Sequence, residues 1–134
     1  MRELLKETMD FLKKKGAEYA DARHVRGLTE VLVMKNGTLE TASVAESEGV
    51  GIRVLNDGAW GFSSSSILTP ESVRSVAEEA LAIAKASAKV GDATIVLDGQ
   101  DVVVDTYRSE MEEDPFEVPL DDKLAILSTC CDGM

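Results

Sequence analysis

The sequence predicts an α+β domain: an antiparallel meander sheet with two main helices packed on one face and a partial third helix at the carboxyl end. In residues 48–62, Val50, Ile52 and Val54 recur with a period of two, and the turn-forming segment 56–58 follows them. This pattern predicts a β-hairpin with one buried face. Apolar residues at spacings of three and four, before and after the strands, predict the two main helices.

The first helix is expected over residues 2–15. Its apolar side chains form two adjoining stripes, made of Leu4, Leu5, Thr8, Met9, Phe11 and Leu12. Three lysines at positions 13–15 suit the negative end of the helix dipole. Gly16 can take the left-handed conformation that closes a helix, so we expect the helix to end there.

The strands are expected to follow one another with short links. Residues 19–34 predict a long strand that is buried on both faces near its end, where four apolar residues are consecutive. Asn36-Gly37 then predicts a type I′ turn, because that turn requires positive φ at both positions. Residues 39–45, 50–55 and 59–63 are expected to complete the meander as successive strands.

The second helix has a clear start. Thr69 is placed to cap it, Pro70 occupies the first helical position, and Glu71 complements the positive end of the dipole. The helix is expected to end near residues 89–91. After it, residues 93–97 and 102–104 are expected to add short strands, residues 109–115 a solvated acidic loop, and residues 119–127 the start of a third helix.

The charge is distributed unevenly along the chain. Residues 1–91 hold 12 Lys/Arg against 13 Asp/Glu, whereas residues 92–134 hold 2 against 12. We therefore expect a body over residues 1–91 and an acidic extension over residues 92–134 that contains the truncated start of a following segment. The acidic balance and the missing basic stripe argue against nucleic-acid binding. No apolar run is long enough for a membrane span or a signal peptide, so a cytoplasmic location is expected.

Arg53, Trp60 and Phe62 are the candidates for a substrate groove. The two rings flank Gly61 and share one face of a strand, where they could hold an extended peptide or instead pack in the core. Gly49, Gly51 and Gly61 leave two interpretations open as well. They could permit close approach of a ligand or another backbone, or they could mark bulges in a twisted sheet.

Other polar clusters favour structural interpretations. Residues 63–66 are four serines, which could hold an anion at the start of the second helix but are more typical of a polar loop. The carboxylates of residues 110–117 do not follow a calcium-loop pattern and are typical of a solvated charge run. Cys130 and Cys131 are two ligands at most, and in a reducing cytoplasm they are expected to be free thiols.

Four segments of the chain form a recognisable series: residues 16–23 (GAEYADAR), 35–40 (KNGTLE), 49–62 (GVGIRVLNDGAWGF) and 114–120 (DPFEVPL). Together they resemble the amino-terminal domain of the TldD/PmbA family of zinc metalloproteases, which are also called modulators of DNA gyrase. These segments stand in the family's order across residues 1 to 127, which makes the resemblance more specific than one short motif. Residues 128–134 do not resemble the family.

The resemblance implies a peptidase whose zinc is held by a His-Glu-x-x-x-His helix further along a longer chain. This sequence has one histidine, His24, and a catalytic zinc site usually needs three protein ligands. The chain is therefore expected to hold no metal and to be inactive alone, although its family consists of enzymes. By resemblance it is a non-catalytic domain, a fragment or a truncated form, that shapes a chamber for peptide or unfolded substrates.

The resemblance also implies a homodimer or heterodimer with a family member. The alternative is a stand-alone, non-enzymatic module that binds a protein or peptide or assists assembly.

Overall fold

The computed structural model describes residues 1–91, 95–99 and 103–133. In the described chain the secondary structure follows the order α1 (Arg2–Lys14), β1 (Tyr19–Lys35), β2 (Thr38–Asn56), β3 (Ala59–Ser65), α2 (Pro70–Ser87) and α3 (Leu120–Asp132). The strands form one sheet in the order β1-β2-β3. The predicted α+β class is therefore confirmed. None of the helices described is long and apolar enough to cross a membrane.

The chain divides into two compact units. The first comprises Met1–Gly27 and Ser47–Gly99, and the second comprises Leu28–Glu46 and Gln100–Met134. Strands β1 and β2 contribute residues to both units. The body and acidic extension expected from the charge pattern, with their boundary after residue 91, stay a prediction.

The core of the first unit lies between the sheet and two helices. Val50, Ile52 and Val54 of β2 are at most 2% exposed, and they point to the face on which α1 and α2 pack. Helix α2 contacts β3 and also α1. The remaining buried apolar residues of this core are Leu12, Val73, Val76, Ala77, Ala80, Leu81 and Ala84. Small and β-branched side chains fill it, which suits a sequence with few aromatic residues.

The end of α1 and the start of α2 are capped as the sequence predicts, whereas α2 ends at Ser87, slightly before the predicted 89–91. At the end of α1, Gly16 has a φ of 91°, and the N–H groups of Gly16 and Ala17 donate to the carbonyls of Lys13 and Leu12. These two bonds form a Schellman motif. At the start of α2, the Thr69 hydroxyl accepts a hydrogen bond from the Ser72 N–H at 3.2 Å.

The two-residue turns of the sheet also have the predicted geometry. Asn36 and Gly37 have φ values of 49° and 74°, and Asp57 and Gly58 have values of 49° and 70°. Positive φ at both central residues is the requirement of a type I′ turn. The Glu18 carboxylate stabilises the second turn, because it accepts hydrogen bonds from the N–H groups of Asp57 at 3.0 Å and Gly58 at 3.5 Å.

Gly61 of β3 lies directly beneath α2. A Cβ atom at this position would stand 2.0 Å from the Ala80 carbonyl oxygen and 2.4 Å from the Ala84 nitrogen. Both are backbone atoms of the helix, so only glycine permits this packing distance. For Gly61, the interpretation as a site of close backbone approach is therefore confirmed.

Strand β2 differs from the prediction. Residues 39–45 and 50–55 were expected to be separate strands, but they belong to the single strand Thr38–Asn56. Residues 46–49, including Gly49, are part of this strand, so the backbone stays extended where a link was expected. The strands predicted at 93–97 and 102–104 are not found either. Residues 95–97 and 103–104 are outside strands, and residues 93, 94 and 102 lie outside the described chain.

The second unit contains the tip of the β1–β2 hairpin and helix α3. Helix α3 extends to Asp132, beyond the predicted start at 119–127, and Lys123 forms an ion pair with Glu30 of β1. The expectation that β1 is buried on both faces near its end is wrong. Val31 and Val33, on one face of the strand, are 41% and 39% exposed. The alternate residues Leu32 and Met34, on the other face, are only half-buried.

Candidate functional site

The candidate site is a groove on the sheet face opposite the helices. Because Val50, Ile52 and Val54 point to the core, the alternate residues of β2 point to the other face. The register pairs Gly51 with Ser64 and Arg53 with Phe62, so these β3 residues share that face. The groove has a volume of about 650 Å³ and is lined chiefly by Asp21, Arg23, Val25, Gly49, Gly51, Arg53, Phe62, Ser64 and Ser66.

Two glycines in the middle strand create the groove. Gly49 and Gly51 leave the central row of the sheet face without side chains, between the rows of β1 and β3. The Phe62 ring leans over Gly51, since a Cβ atom there would stand 3.0 Å from Phe62 Cε2. A larger residue at position 51 would therefore displace the ring and fill the depression.

Arg53 is held in a fixed orientation at the next position along β2. Its Nε and Nη2 groups donate hydrogen bonds to Asp21 Oδ2 at 2.9 and 2.7 Å. Its Cζ atom lies 4.4 Å from the centroid of the Trp60 ring, a cation–π contact. Trp60 in turn meets Tyr19 edge to face, with a centroid distance of 5.9 Å. The hydrogen bond to Asp21 raises the pKa of the Arg53 guanidinium above its ordinary value, so the group stays charged.

The structure places the three predicted groove residues on one face of the sheet. Arg53 and Trp60 are in contact, and Phe62 lies opposite Arg53 in the strand register. Core packing, the alternative interpretation, is wrong for Phe62, which is 59% exposed. Their role in binding a substrate stays a prediction. The sequence interpretation missed Asp21 and Arg23, although their period-two spacing in β1 was a signal that they share a face.

The four serines have structural partners at several positions. Ser63 is buried and donates a hydrogen bond to Glu79 Oε2 of α2 at 2.6 Å. The Ser65 hydroxyl lies 3.0 Å from the Ser72 hydroxyl and accepts a bond from the Ile67 N–H. The first bond attaches β3 to the middle of α2, and the contact with Ser72 attaches it to the start of the helix. The expectation of a polar loop over residues 63–66 is wrong for residues 63–65, because they continue strand β3. Ser64 and Ser66, the other two serines, line the groove.

The ligands of a catalytic zinc ion are not assembled in the described residues. The single histidine, His24, has its Nε2 atom 2.7 Å from Glu48 Oε1, an exposed cross-strand pair. Across residues 1–91, 95–99 and 103–133, no three His, Cys, Asp or Glu side chains converge as a metal site. Cys130 and Cys131 are both free. The described residues therefore do not fit the zinc site that the family resemblance implies for a longer protein.

Comparisons with known proteins agree with the family resemblance and with the fold. The family described as PmbA/TldA metallopeptidase domain 1 matches residues 20–84. A metalloprotease of Methanocaldococcus jannaschii is 29% identical over 110 residues, which are 82% of this chain and 24% of the relative. A metalloprotease of Methanothermobacter thermautotrophicus is 42% identical over 45 residues, which are 34% of this chain and 10% of the relative.

Two solved structures share the fold. TldE from Thermococcus kodakarensis superposes with a TM-score of 0.50 at 16% identity, covering 92% of this chain and 28% of that protein. A protein from Thermotoga maritima described as a modulator of a DNA gyrase gives a TM-score of 0.54 at 22% identity, covering 95% and 27%. This chain thus spans about a quarter of the length of both structures and of the Methanocaldococcus relative. Residues 20–84 of this chain therefore match the first domain of the PmbA/TldA metallopeptidase family.

Proposed function

We propose that this chain is a non-catalytic amino-terminal domain of a zinc-dependent peptidase, and that it forms one wall of the chamber that receives peptide substrates. Two relatives are named metalloproteases, and each is much longer than this chain. Zinc in such a protein would be held by residues outside this chain, since His24 is its one imidazole. A cytoplasmic location is part of the same proposal.

The observation that carries the proposal is the groove over Gly49 and Gly51. An unfolded peptide is long and narrow, and a row of the sheet without side chains lets such a chain lie close to the backbone. The exposed Phe62 ring supplies apolar contact at one side, and the fixed Arg53–Trp60 pair supplies a rigid polar end. Rigid groups lose little conformational freedom when a ligand binds, which favours affinity.

A binding experiment on the purified chain tests the groove. Fluorescence anisotropy with labelled, unstructured hexapeptides should detect binding to the wild-type chain. Phe62→Ala should weaken it several-fold because it removes the largest exposed apolar side chain that lines the groove. Phe116→Ala is the matched control, since Phe116 is another exposed phenylalanine, lies outside the groove and belongs to the second unit. Equal affinities for wild-type and Phe62→Ala chains would refute a groove-centred site.

A second experiment tests whether the chain is non-catalytic. Metal analysis and a peptidase assay are carried out on the chain alone, on a full-length family member, and on the two mixed. We expect zinc and cleavage to follow the full-length protein only. Stoichiometric zinc together with peptide cleavage by the chain alone would contradict the proposal.

A second candidate function, assembly with another subunit, has its own supporting observation. None of the described residues of the second unit is buried, and several of its apolar side chains are strongly exposed, among them Val44, Tyr107 and Ile126. Exposed apolar surface of this kind is typical of protein interaction sites. We propose that it meets a second copy or another family member. A chain that stays monomeric in sedimentation velocity at all concentrations, alone and with a relative, would refute this.

A further inference from the structure

The net charge of the described residues that line the groove is opposite in sign to the net charge of the whole chain. The chain carries a formal net charge of −11. The described residues around the groove, by contrast, include two guanidinium groups, Arg23 and Arg53, and one carboxylate, Asp21. A local positive charge in an acidic protein favours an anionic ligand group and disfavours a cationic one.

Arg53 is suited to bind an anion because its orientation is already fixed. Asp21 engages Nε and Nη2, which are two of the three nitrogens of the guanidinium group, and Trp60 supports the group from one side. An arginine presents five N–H donors in a planar fork that matches a carboxylate. Its side chain is 44% exposed, so donors beyond the two bound to Asp21 are accessible from the groove.

Arg23 supplies the second positive charge. It is an exposed residue of β1, two positions from Asp21, and it lines the same groove. Alternate residues of a strand share a face, so the Arg23 side chain lies on the face that carries Asp21. A single carboxylate cannot neutralise two guanidinium groups, and the groove therefore retains one unit of positive charge.

The rest of the groove suits the apolar body of a ligand rather than an added strand. Val25 and Phe62 are 61% and 59% exposed on its two sides. Strand β2, which forms the floor, has β1 and β3 as neighbours on its two edges, so a ligand backbone has no free edge of β2 to pair with. A chain end that lies on the sheet face fits this shape.

We infer that the groove binds the carboxyl end of a peptide, with the terminal carboxylate at Arg53 and Arg23 and an apolar last residue between Val25 and Phe62. The inference rests on the proposed function, since it specifies which part of a peptide the same groove takes. The ligand group is therefore a carboxylate. Peptides that carry it at the chain end or on a side chain distinguish the two possible sources.

The experiment compares three hexapeptides on the full 134-residue chain by isothermal titration calorimetry. The first ends in leucine with a free carboxylate, the second is the same peptide as its amide, and the third is an amide with glutamate as the fifth residue. We expect the free acid to bind about tenfold more tightly than either amide, because a charge-assisted bond to arginine is lost in both. Equal binding of acid and amide would overturn the inference, and so would equal binding of the acid and the glutamate amide.

Two variants locate the effect. Arg23→Gln should reduce the preference for the free acid to about twofold or less, while Arg108→Gln, an equal change of charge outside the groove, should leave it intact. A preference that survives Arg23→Gln in full would overturn the assignment. Peptides that bind through Phe62 without distinguishing acid from amide would refute the carboxylate inference and leave the proposed groove standing. Failure of all three peptides to bind would refute the groove itself.

Discussion

Replacing Gly61 by alanine is the sharpest test of how β3 and α2 pack. The added methyl group would stand 2.0 Å from the Ala80 carbonyl oxygen and 2.4 Å from the Ala84 nitrogen. Carbon and oxygen atoms in van der Waals contact are more than 3 Å apart, so the helix must move away from the strand by about 1 Å. That movement loosens the buried contacts of Ala77, Ala80 and Ala84 with the sheet.

The expected loss of stability follows from these distances. Overpacking a core costs about 1–3 kcal/mol when side chains can adjust, and here the clashing atoms are backbone, so we expect a loss of at least about 3 kcal/mol. Against a typical total of about 5–15 kcal/mol, this is a large fraction. Urea unfolding followed by circular dichroism, with the midpoint and slope fitted together, measures the loss.

Two other glycines serve as matched controls for this substitution. A Cβ atom at Gly99 would meet nothing within 4 Å, so Gly99→Ala should change the free energy of unfolding by less than about 0.5 kcal/mol. At Gly51 the nearest atoms belong to the exposed Phe62 ring, which can move, so Gly51→Ala should have an intermediate effect. A loss below about 1 kcal/mol in Gly61→Ala would refute the close backbone contact on which the reasoning depends.

Three further predictions concern local features of the fold. Thr69→Ala should lower the free energy of unfolding by about 1 kcal/mol because it removes the cap of α2. Thr69→Ser keeps the capping hydroxyl and should lose much less stability, so equal losses in the two variants would count against capping. Glu18→Ala should cost about 1–2 kcal/mol in urea unfolding because the N–H groups of Asp57 and Gly58 lose their acceptor, and an unchanged midpoint would argue otherwise. Phe62→Ala should change the unfolding midpoint little, since its ring is exposed, and a loss above about 2 kcal/mol would show that the ring has a structural role.

Features that depend on neighbouring residues could be predicted from the sequence. The turns at Asn36-Gly37 and Asp57-Gly58 require positive φ, and few residue types other than glycine, asparagine and aspartate tolerate it. The start of α2 is likewise local, because the hydroxyl of Thr69 needs to reach only three residues along the chain. In each case the chemistry that determines the geometry is contained in two to four residues.

The continuity of β2 depends on partners that are distant in sequence, and the sequence did not reveal it. Residues 46–49 contain serine and glycine, which are common in turns, and two glutamates, which are depleted in strands. Pairing with a neighbouring strand keeps this segment extended instead, and pairing energies do not appear in local composition. Tertiary context therefore overrides the local preference.

The candidate site was predictable only in part for the same reason. Period-two spacing places Trp60 and Phe62 on one face of the strand, but it does not tell which face the helices cover. The buried partners of the opposite face, Gly61 and Ser63 against α2, decide this. The contact between Asp21 and Arg53 spans 32 positions and depends on how the strands align. A single sequence contains no direct record of that alignment.

Alternate residues of β3 point to opposite faces of the sheet, so the lining of the groove and the stability of the fold can change independently in this domain. Gly61 and Ser63 attach the strand to the helix layer, whereas Phe62 and Ser64, each one residue further along the chain, face the groove. Substitutions at 62 and 64 can alter what the groove accepts while the helix contacts remain unchanged. A strand of seven residues thus provides a surface that can diversify without loss of the underlying fold, and it gives the protein engineer two positions to randomise and two to leave alone.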